Sequence, residues 1–149
     1  MRRNAITIQR AQPDELEWVN ARYQEVQFMP SQSEDWIVIA RVDGLPAGLG
    51  RIVPINSAVG ELGGMVVLPE FQGLGLANAI IQSLLEHSPF STLYCLPFVE
   101  LRDLYGKFGF KTPQHMDQIP NSVREKHAWC NQTYAKSVLL LERLDPCRV

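Results

Sequence analysis

One stretch of the chain, residues 63–85, has the pattern of a strand, a tight turn and a helix in immediate succession. Its first part is apolar and partly β-branched, and Pro69 ends that run. Gly73 and Gly75 follow, and the apolar residues after them recur at helical spacing: Ala77, Ile80, Ile81, Leu84 and Leu85. The pattern therefore predicts a strand over residues 65–68, a glycine turn and an amphipathic helix.

A turn of this kind exposes backbone N–H groups that have no partner inside the helix, beside the positive end of the helix dipole. A phosphate group binds well at such a position, and glycine leaves room for its approach. A dinucleotide fingerprint does not fit, because Asn78 stands where the third glycine is needed, and the Gly-Lys-Ser/Thr triplet of a P-loop is absent. A glycine pair that serves only the geometry of the turn is the competing interpretation.

Composition sets limits on the class of protein. A length of 149 residues with 46% hydrophobic residues suffices for one domain over residues 1–149. The net charge of −2 argues against nucleic-acid and anionic-membrane partners, which need clustered basic residues. Three cysteines, Cys95, Cys130 and Cys147, form no Cys-x-x-Cys pair, and the histidines lack metal-ligand spacing, so we expect neither a disulfide framework nor a metal site. No long apolar run follows Arg2 and Arg3 or occurs later, which favours a soluble, cytoplasmic protein.

The rest of the chain alternates between strand and helix patterns. Before the glycine turn, we predict a strand over 6–9, a helix from Pro13 with a buried stripe that ends at Val26, and strands over 36–42, 47–53 and 59–68, the first two joined by an Asp43-Gly44 turn. After it, we predict a strand over 92–96, a helix from Glu100 to Gly109, a strand from Phe110, a short helix over 121–129 and a closing strand over 137–144.

Two segments carry a family resemblance. Gln72, Gly75 and Ala77 fill the pattern Gln/Arg-x-x-Gly-x-Gly/Ala, and the segment LYGKFGF places Tyr105 four residues before Gly109. In this order they resemble the acetyl-CoA motif and the second signature of the GNAT superfamily of N-acetyltransferases. The resemblance implies an α+β fold, layered α/β/α, of the GNAT-like acyl-CoA N-acyltransferase type. Its mixed, mostly antiparallel central sheet has splayed middle strands.

The resemblance also implies an acetyl-CoA-dependent N-acetyltransferase without a metal, which moves the acetyl group directly to a primary amine of a small molecule or amino-acid-like acceptor. The pantetheine arm would bind along the splayed strand and the pyrophosphate at the amides of the turn, with Gln72 bracing that turn. The implied cofactor-binding residues are Met65, Val66, Val67, Gln72, Gly73, Leu74, Gly75, Leu76 and Ala77. Many relatives have Arg or Lys inside the turn, and this chain has neither, so Lys107 or Lys111 is expected to reach the 3′-phosphate.

Two catalytic roles follow from the same resemblance. Tyr105 is the expected acid that protonates the leaving thiolate, and core packing is the alternative explanation for its position on an apolar helix face. Glu61 is the first candidate for the general base and Glu100 a weaker one. A solvated carboxylate at the strand end is the competing interpretation for Glu61, and a water chain is an alternative route for the proton. For Cys95, packing as a small hydrophobe is favoured over acyl transfer.

The resemblance leaves several points of function open. In relatives, the loop after the first helix borders the acceptor side, so Tyr23, Phe28, Met29 and Trp36 are candidates for lining that pocket, with core packing as the alternative. A non-catalytic domain that senses acetyl-CoA and binds a partner protein is the rival function, beside acetylation of a protein or peptide amine. Relatives frequently pair through terminal strands, so a homodimer through residues 137–144 is one option.

Overall fold

The computed structural model describes residues 5–145, so Arg2, Arg3 and Cys147 lie outside the described residues. The strands are β1 (Ile6–Arg10), β2 (Trp36–Val42), β3 (Leu45–Pro54), β4 (Val59–Val67), β5 (Thr92–Cys95) and β6 (Leu141–Leu144). The α-helices are α1 (Leu16–Glu25), α2 (Leu76–His87), α3 (Arg102–Gly106) and α4 (Asn121–Thr133). The sheet follows chain order from β1 to β6, and β4 and β5 form its parallel pair. Within residues 5–145, no helix combines the length and apolarity that a membrane span requires.

The described chain forms two compact units. The first contains the residues up to Val53 together with Gly64–Ser88, and the second contains Pro54–Gly63 and the chain from Pro89. The strand β4 therefore contributes its first half to the second unit and its second half to the first. The single domain over residues 1–149 stays a prediction.

In the first unit, α1 covers one face of the sheet. Val19 and Tyr23 from α1 form a fully buried cluster with Ile37, Ile39 and Leu49 from β2 and β3. Because alternate residues of a strand point to opposite faces, the neighbours of Ile37 and Ile39 on β2 face the other side, where they are buried as well. Burial on both faces explains why the sequence of β2 is almost continuously apolar.

The helix α2 lies on the opposite side of β3. A Cβ atom added to Gly50 would lie 2.6 Å from Cγ2 of Ile80, so helix and strand are closer than an alanine would permit. Ile80 and Leu84 of α2 are fully buried. The first unit therefore has the α/β/α layering that the resemblance implied.

In the second unit, β4 pairs in parallel with β5 from Val59 opposite Thr92 to Leu62 opposite Cys95. The strand β6 pairs with the other edge of β5 in an antiparallel arrangement. A separate core surrounds Tyr94 of β5, which packs with Ile119 and with Val123 of α4.

Three element predictions need correction. No strand begins at Phe110, because the chain makes only an isolated bridge there, between Lys111 and Glu142. The closing strand begins at Leu141 rather than at residue 137. Before it, Val138 makes only an isolated bridge with Phe98: the N–H of Leu139 donates to the carbonyl of Pro97, and Pro97 has no N–H with which to return the bond. Val26 is 39% exposed rather than buried, since α1 ends one residue earlier.

Candidate functional site

The glycine turn lies between β4 and α2 in the first unit. A short 3-10 turn over Pro69–Phe71 follows the strand, and the N–H of Leu68 donates to the carbonyl of Ala47 at 2.8 Å. Gly73 and Gly75 have φ angles of 84° and 76°, in the left-handed region that residues with side chains rarely adopt. A Cβ at either position would meet no heavy atom within 4 Å, so the turn faces open space.

The N-terminus of α2 is not capped by a side chain. Gly75 is the N-cap residue, and the N–H of Ala79 makes the helical bond to the carbonyl of Gly75 at 3.2 Å. The amides of residues 76–78 therefore precede that bond, at the positive end of a helix of 12 residues. An anion bound at the turn would meet these amides without competition from a capping side chain.

The structure places the other predicted cofactor residues in two settings. Gln72 and residues 73–75 are exposed, whereas residues 65–67 are half-buried on β4. Leu76 is 2% exposed, so its side chain belongs to the core rather than to a ligand-binding surface. The parallel pairing with β5 ends at Leu62, five residues before β4 itself ends at Val67.

Tyr105 and Cys95 meet in the second unit. Tyr105 is 2% exposed and packs edge-to-face against Phe110, with ring centroids 5.8 Å apart. Burial and the nearby charge of Glu61 raise the pKa of the Cys95 thiol well above its usual value, while a hydrogen bond with Tyr105 opposes that shift. The thiol is therefore neutral at physiological pH, which agrees with packing rather than nucleophilic chemistry at Cys95. The hydroxyl of Tyr105 is thus in hydrogen-bond reach of a sulfur atom at the end of β5.

Glu61 is neither solvated nor unpaired. It is 7% exposed, and both of its carboxylate oxygens accept hydrogen bonds from Nζ of Lys126, at 3.0 and 2.9 Å. The interpretation as a solvated carboxylate at the strand end is therefore wrong. Sequence reasoning missed Lys126, although it lies at helical spacing from the buried Val123 and Cys130, which was the available signal.

Glu100 lies at the surface, where its carboxylate accepts a hydrogen bond from Lys136 at 2.7 Å. That hydrogen bond lowers the pKa of Glu100. A carboxylate with a lowered pKa is a weaker base, which agrees with its lower rank among the candidates.

The two lysines proposed for the 3′-phosphate share one depression of about 520 Å³ on the second unit. Lys107 and Lys111 line it together with Arg102, which the sequence reasoning did not single out. Asp103 also lines it, so three cations outnumber one carboxylate there, and the excess positive charge favours an anionic occupant.

A second polar cluster, which the sequence reasoning also missed, lies inside the first unit. Arg51 of β3 is 5% exposed, donates from Nη1 to Oγ of Ser31 at 2.6 Å, and stacks on the ring of Tyr23 at 4.3 Å. The hydroxyl of Tyr23 donates to the carbonyl of Gly64 at 2.9 Å. Burial raises the pKa of Tyr23, so this hydroxyl stays protonated and available as a donor.

Among residues 5–145, no group of three His, Cys, Asp or Glu side chains is placed to hold a metal ion.

Comparisons with known proteins agree with this geometry. The model of the Acetyltransferase (GNAT) family matches residues 5–110. N-acetylglutamate synthase from Neisseria gonorrhoeae, complexed with coenzyme A and L-arginine, has a TM-score of 0.69 at 17% identity over 93% of this chain and 33% of its own. This chain thus spans about a third of the synthase chain. No curated protein sequence matches the chain.

Two further structures are similar over nearly their whole length. A GNAT family acetyltransferase from Elizabethkingia anophelis with acetyl-CoA bound has a TM-score of 0.63 at 16% identity, over 94% of this chain and 98% of its own. A Mycobacterium tuberculosis protein in complex with CoA has a TM-score of 0.72 at 13% identity, over 93% of this chain and 99% of its own. At such identities the structural likeness establishes the fold alone, and the α+β GNAT-like fold predicted from the sequence is confirmed.

The Glu61–Lys126 ion pair leads to a stability prediction. Lys126→Met leaves a buried carboxylate without its partner, so we expect the free energy of unfolding in urea to fall by about 1–3 kcal/mol. Lys136→Met, which breaks the exposed pair with Glu100, should leave it nearly unchanged, because solvent screens an exposed ion pair. Adding Glu61→Gln to Lys126→Met should recover at least half of the loss. Equal effects of the two single lysine substitutions would contradict the assignment.

Proposed function

The chain belongs to the Acetyltransferase (GNAT) family, and on that premise we propose that it transfers an acetyl group from acetyl-CoA directly to a primary amine of a small-molecule or amino-acid-like acceptor. The observation that carries the proposal is the open glycine turn at the uncapped N-terminus of α2. Structures of the same fold from Elizabethkingia anophelis and Mycobacterium tuberculosis have acetyl-CoA and CoA bound, respectively, which supports the choice of donor.

The turn is suited to a pyrophosphate for two physical reasons. Amides that precede the helical hydrogen bonds, together with the helix dipole, attract an anion, and Gly73 and Gly75 leave the approach open. No lysine or arginine occurs between Arg51 and Arg102 in the sequence. Binding of the diphosphate then rests on backbone N–H groups, while Lys107 or Lys111 serves the 3′-phosphate.

In the proposed reaction, acetyl-CoA supplies an activated acyl thioester and the chain provides hydrogen bonds. A backbone N–H near Val67 stabilises the oxyanion, and Tyr105 donates a proton to the leaving sulfur. The contact between Tyr105 and a sulfur atom, that of Cys95, supports a role as donor to sulfur. The raised pKa of that thiol supports direct transfer without an acylated cysteine.

Glu61 remains the candidate base, with water as the alternative route. Both oxygens of Glu61 accept a hydrogen bond from Nζ of Lys126, so a proton taken up by the carboxylate would bind at one of its remaining lone pairs. A single domain, a cytoplasmic location and a homodimer through the closing strand belong to the same proposal. The net charge of −2 supports a small molecule over a nucleic acid as partner.

A thiol-release assay tests the proposal as a whole. The protein, acetyl-CoA and a panel of amines, amino acids, polyamines and peptide N-termini should give free thiol with at least one acceptor class. Gly75→Val blocks the open turn and should weaken acetyl-CoA binding by about tenfold or more, as calorimetry would measure. Gly44→Val is the matched control, because Gly44 also has a positive φ and open surroundings but lies in the β2–β3 hairpin.

The assay also separates the rival functions. Binding of acetyl-CoA without thiol release across the panel would indicate a non-catalytic sensor. Release only with peptides would indicate a protein or peptide amine as the acceptor.

The acid role of Tyr105 predicts a specific kinetic change. Tyr105→Phe should lower kcat by about 10²-fold or more and leave the affinity for acetyl-CoA unchanged, because only proton donation is lost. Tyr94→Phe is the matched control, since Tyr94 is a buried tyrosine of the same unit whose hydroxyl bonds Glu142. Unchanged turnover in Tyr105→Phe would leave Tyr105 as a packing residue.

The cationic depression predicts a preference for the 3′-phosphate. Coenzyme A should bind more tightly than 3′-dephospho-coenzyme A, by roughly three- to tenfold at low salt, because exposed ion pairs contribute modestly. The double substitution Lys107→Met/Lys111→Met should remove that difference in a calorimetric titration. Equal affinity of the unmodified protein for both forms would dismiss the lysines.

A further inference from the structure

Within the described part of the chain, the guanidinium of Arg51 is a buried positive charge without a negative partner. Among residues 5–145, no carboxylate oxygen forms an ion pair with it within 4 Å. Its contacts are the hydroxyl of Ser31 and the ring of Tyr23, both of which are neutral. Buried charges in folded proteins are normally paired, because removal from water costs several kcal/mol per ion.

One acidic side chain near this cluster, that of Asp35, forms a hydrogen bond elsewhere. Asp35 is buried and close enough to Tyr23 to raise the pKa of the phenol. Its carboxylate accepts a hydrogen bond from the N–H of Gln32 at 3.0 Å and is not paired with Arg51. The cation–π contact with Tyr23 offsets only part of the cost of burying the guanidinium.

A purely structural role does not account for Arg51. The obvious one would be to tie the loop that follows α1 to the sheet through Ser31. However, Asn20 already holds both backbone groups of Ser31: its side chain accepts from the Ser31 N–H at 2.7 Å and donates to the Ser31 carbonyl at 3.1 Å. The loop therefore has an anchor that does not need a buried cation.

The position of Arg51 relates it to the proposed chemistry. A Cβ at Gly64 would lie 2.8 Å from Nε of Arg51, so the guanidinium lies against β4 at that residue. Residues 65–67, to which the proposed function assigns the acyl arm, begin one residue further along the strand, about 3.3 Å away. Arg51 and the proposed position of the acyl arm are thus both adjacent to this part of β4.

We propose that Arg51 binds a carboxylate of the acceptor, so that the acceptor is an amino acid whose free carboxylate lies near the reacting amine. The inference rests on the proposed function for the location of the acyl arm. Ser31 uses one of the five N–H donors of the guanidinium, which leaves donors for a carboxylate in the fork geometry that arginine favours. Because the guanidinium is already desolvated, pairing it with a carboxylate adds little further desolvation on the protein side.

The test compares acceptors that differ only in the carboxylate. Thiol release is measured at saturating acetyl-CoA for amino acids, their carboxamides and the corresponding decarboxylated amines. The unmodified protein should favour the free carboxylate in kcat/KM by roughly 30-fold or more, the range for a desolvated charge pair. Equal kcat/KM values within each matched set would overturn the proposal.

Substitutions locate the preference in this side chain. Arg51→Met keeps similar length and removes the charge, so kcat/KM should fall for the carboxylate acceptors and stay nearly constant for the amides. Arg41→Met is the matched control on β2, where the guanidinium pairs with Glu15, and it should leave the preference intact. A uniform loss across all acceptors in Arg51→Met, with the ratio preserved, would indicate a structural role and contradict the inference.

A measurement of ligand binding tests the inference even if the protein shows no catalytic turnover. If no acceptor releases thiol, the proposed function fails, and calorimetry on the CoA-loaded protein then compares an amino acid with its amide. Tighter binding of the free carboxylate, lost in Arg51→Met, supports the inference; equal binding overturns it. If Arg51→Met does not fold, as judged by circular dichroism, the comparison of matched ligands on the unmodified protein decides alone.

Discussion

The close packing of α2 against β3 is the contact on which the candidate site depends. Gly48 and Gly50 have no side chains, and the apolar stripe of α2 fills the space above them, with Ile80 against both. A helix held so firmly by its buried face has a defined N-terminus. The glycine turn that precedes it is therefore held next to a fixed helix end, where Gly73 and Gly75 are exposed and face open space.

Two of the buried charges among residues 5–145, Glu61 and Arg51, differ in their partners. Glu61 in the second unit has a complete partner, because Lys126 donates to both of its oxygens. Arg51 in the first unit has a hydroxyl and an aromatic ring but no anion from residues 5–145. A satisfied pair stabilises the folded chain by itself, whereas an unsatisfied cation costs stability until a ligand supplies the missing charge. This contrast distinguishes a structural ion pair from a candidate binding group.

Most strands, turns and helices of the first unit could be predicted from the sequence. The strand β2 has the predicted bounds, and Asp43 and Gly44 both have positive φ angles, as the Asp-Gly hairpin turn implies. The helix α2 buries Ile80, Ile81 and Leu84, which belong to the stripe that the periodicity predicted. The bounds of a strand and the conformation of a hairpin turn depend on residues close together in the chain, so the local sequence is enough to predict them.

The bounds of the elements in the second unit were harder to predict from the sequence, because residues distant in sequence determine them. Pro97, which is distant in sequence, has no N–H to bond the segment at Val138 and Leu139, and it therefore shortens the closing strand; the periodicity of that segment does not reveal this. The helix α4 runs to Thr133 although its sequence is mostly polar. Its length follows from the burial of Val123 and Cys130, and that face also carries Lys126 to Glu61.

The sequence by itself determined the strand, glycine turn and helix, and with them the family and the expected anion site, because backbone conformation and helical periodicity are local properties. Only the tertiary structure decided which charges are paired. Arg51, Ser31 and Gly64 come from three separate segments, and their meeting depends on how β3, β4 and the loop after α1 pack. The energy of a charge depends on burial and on partners in space, and neither is encoded in the spacing of residues along the chain.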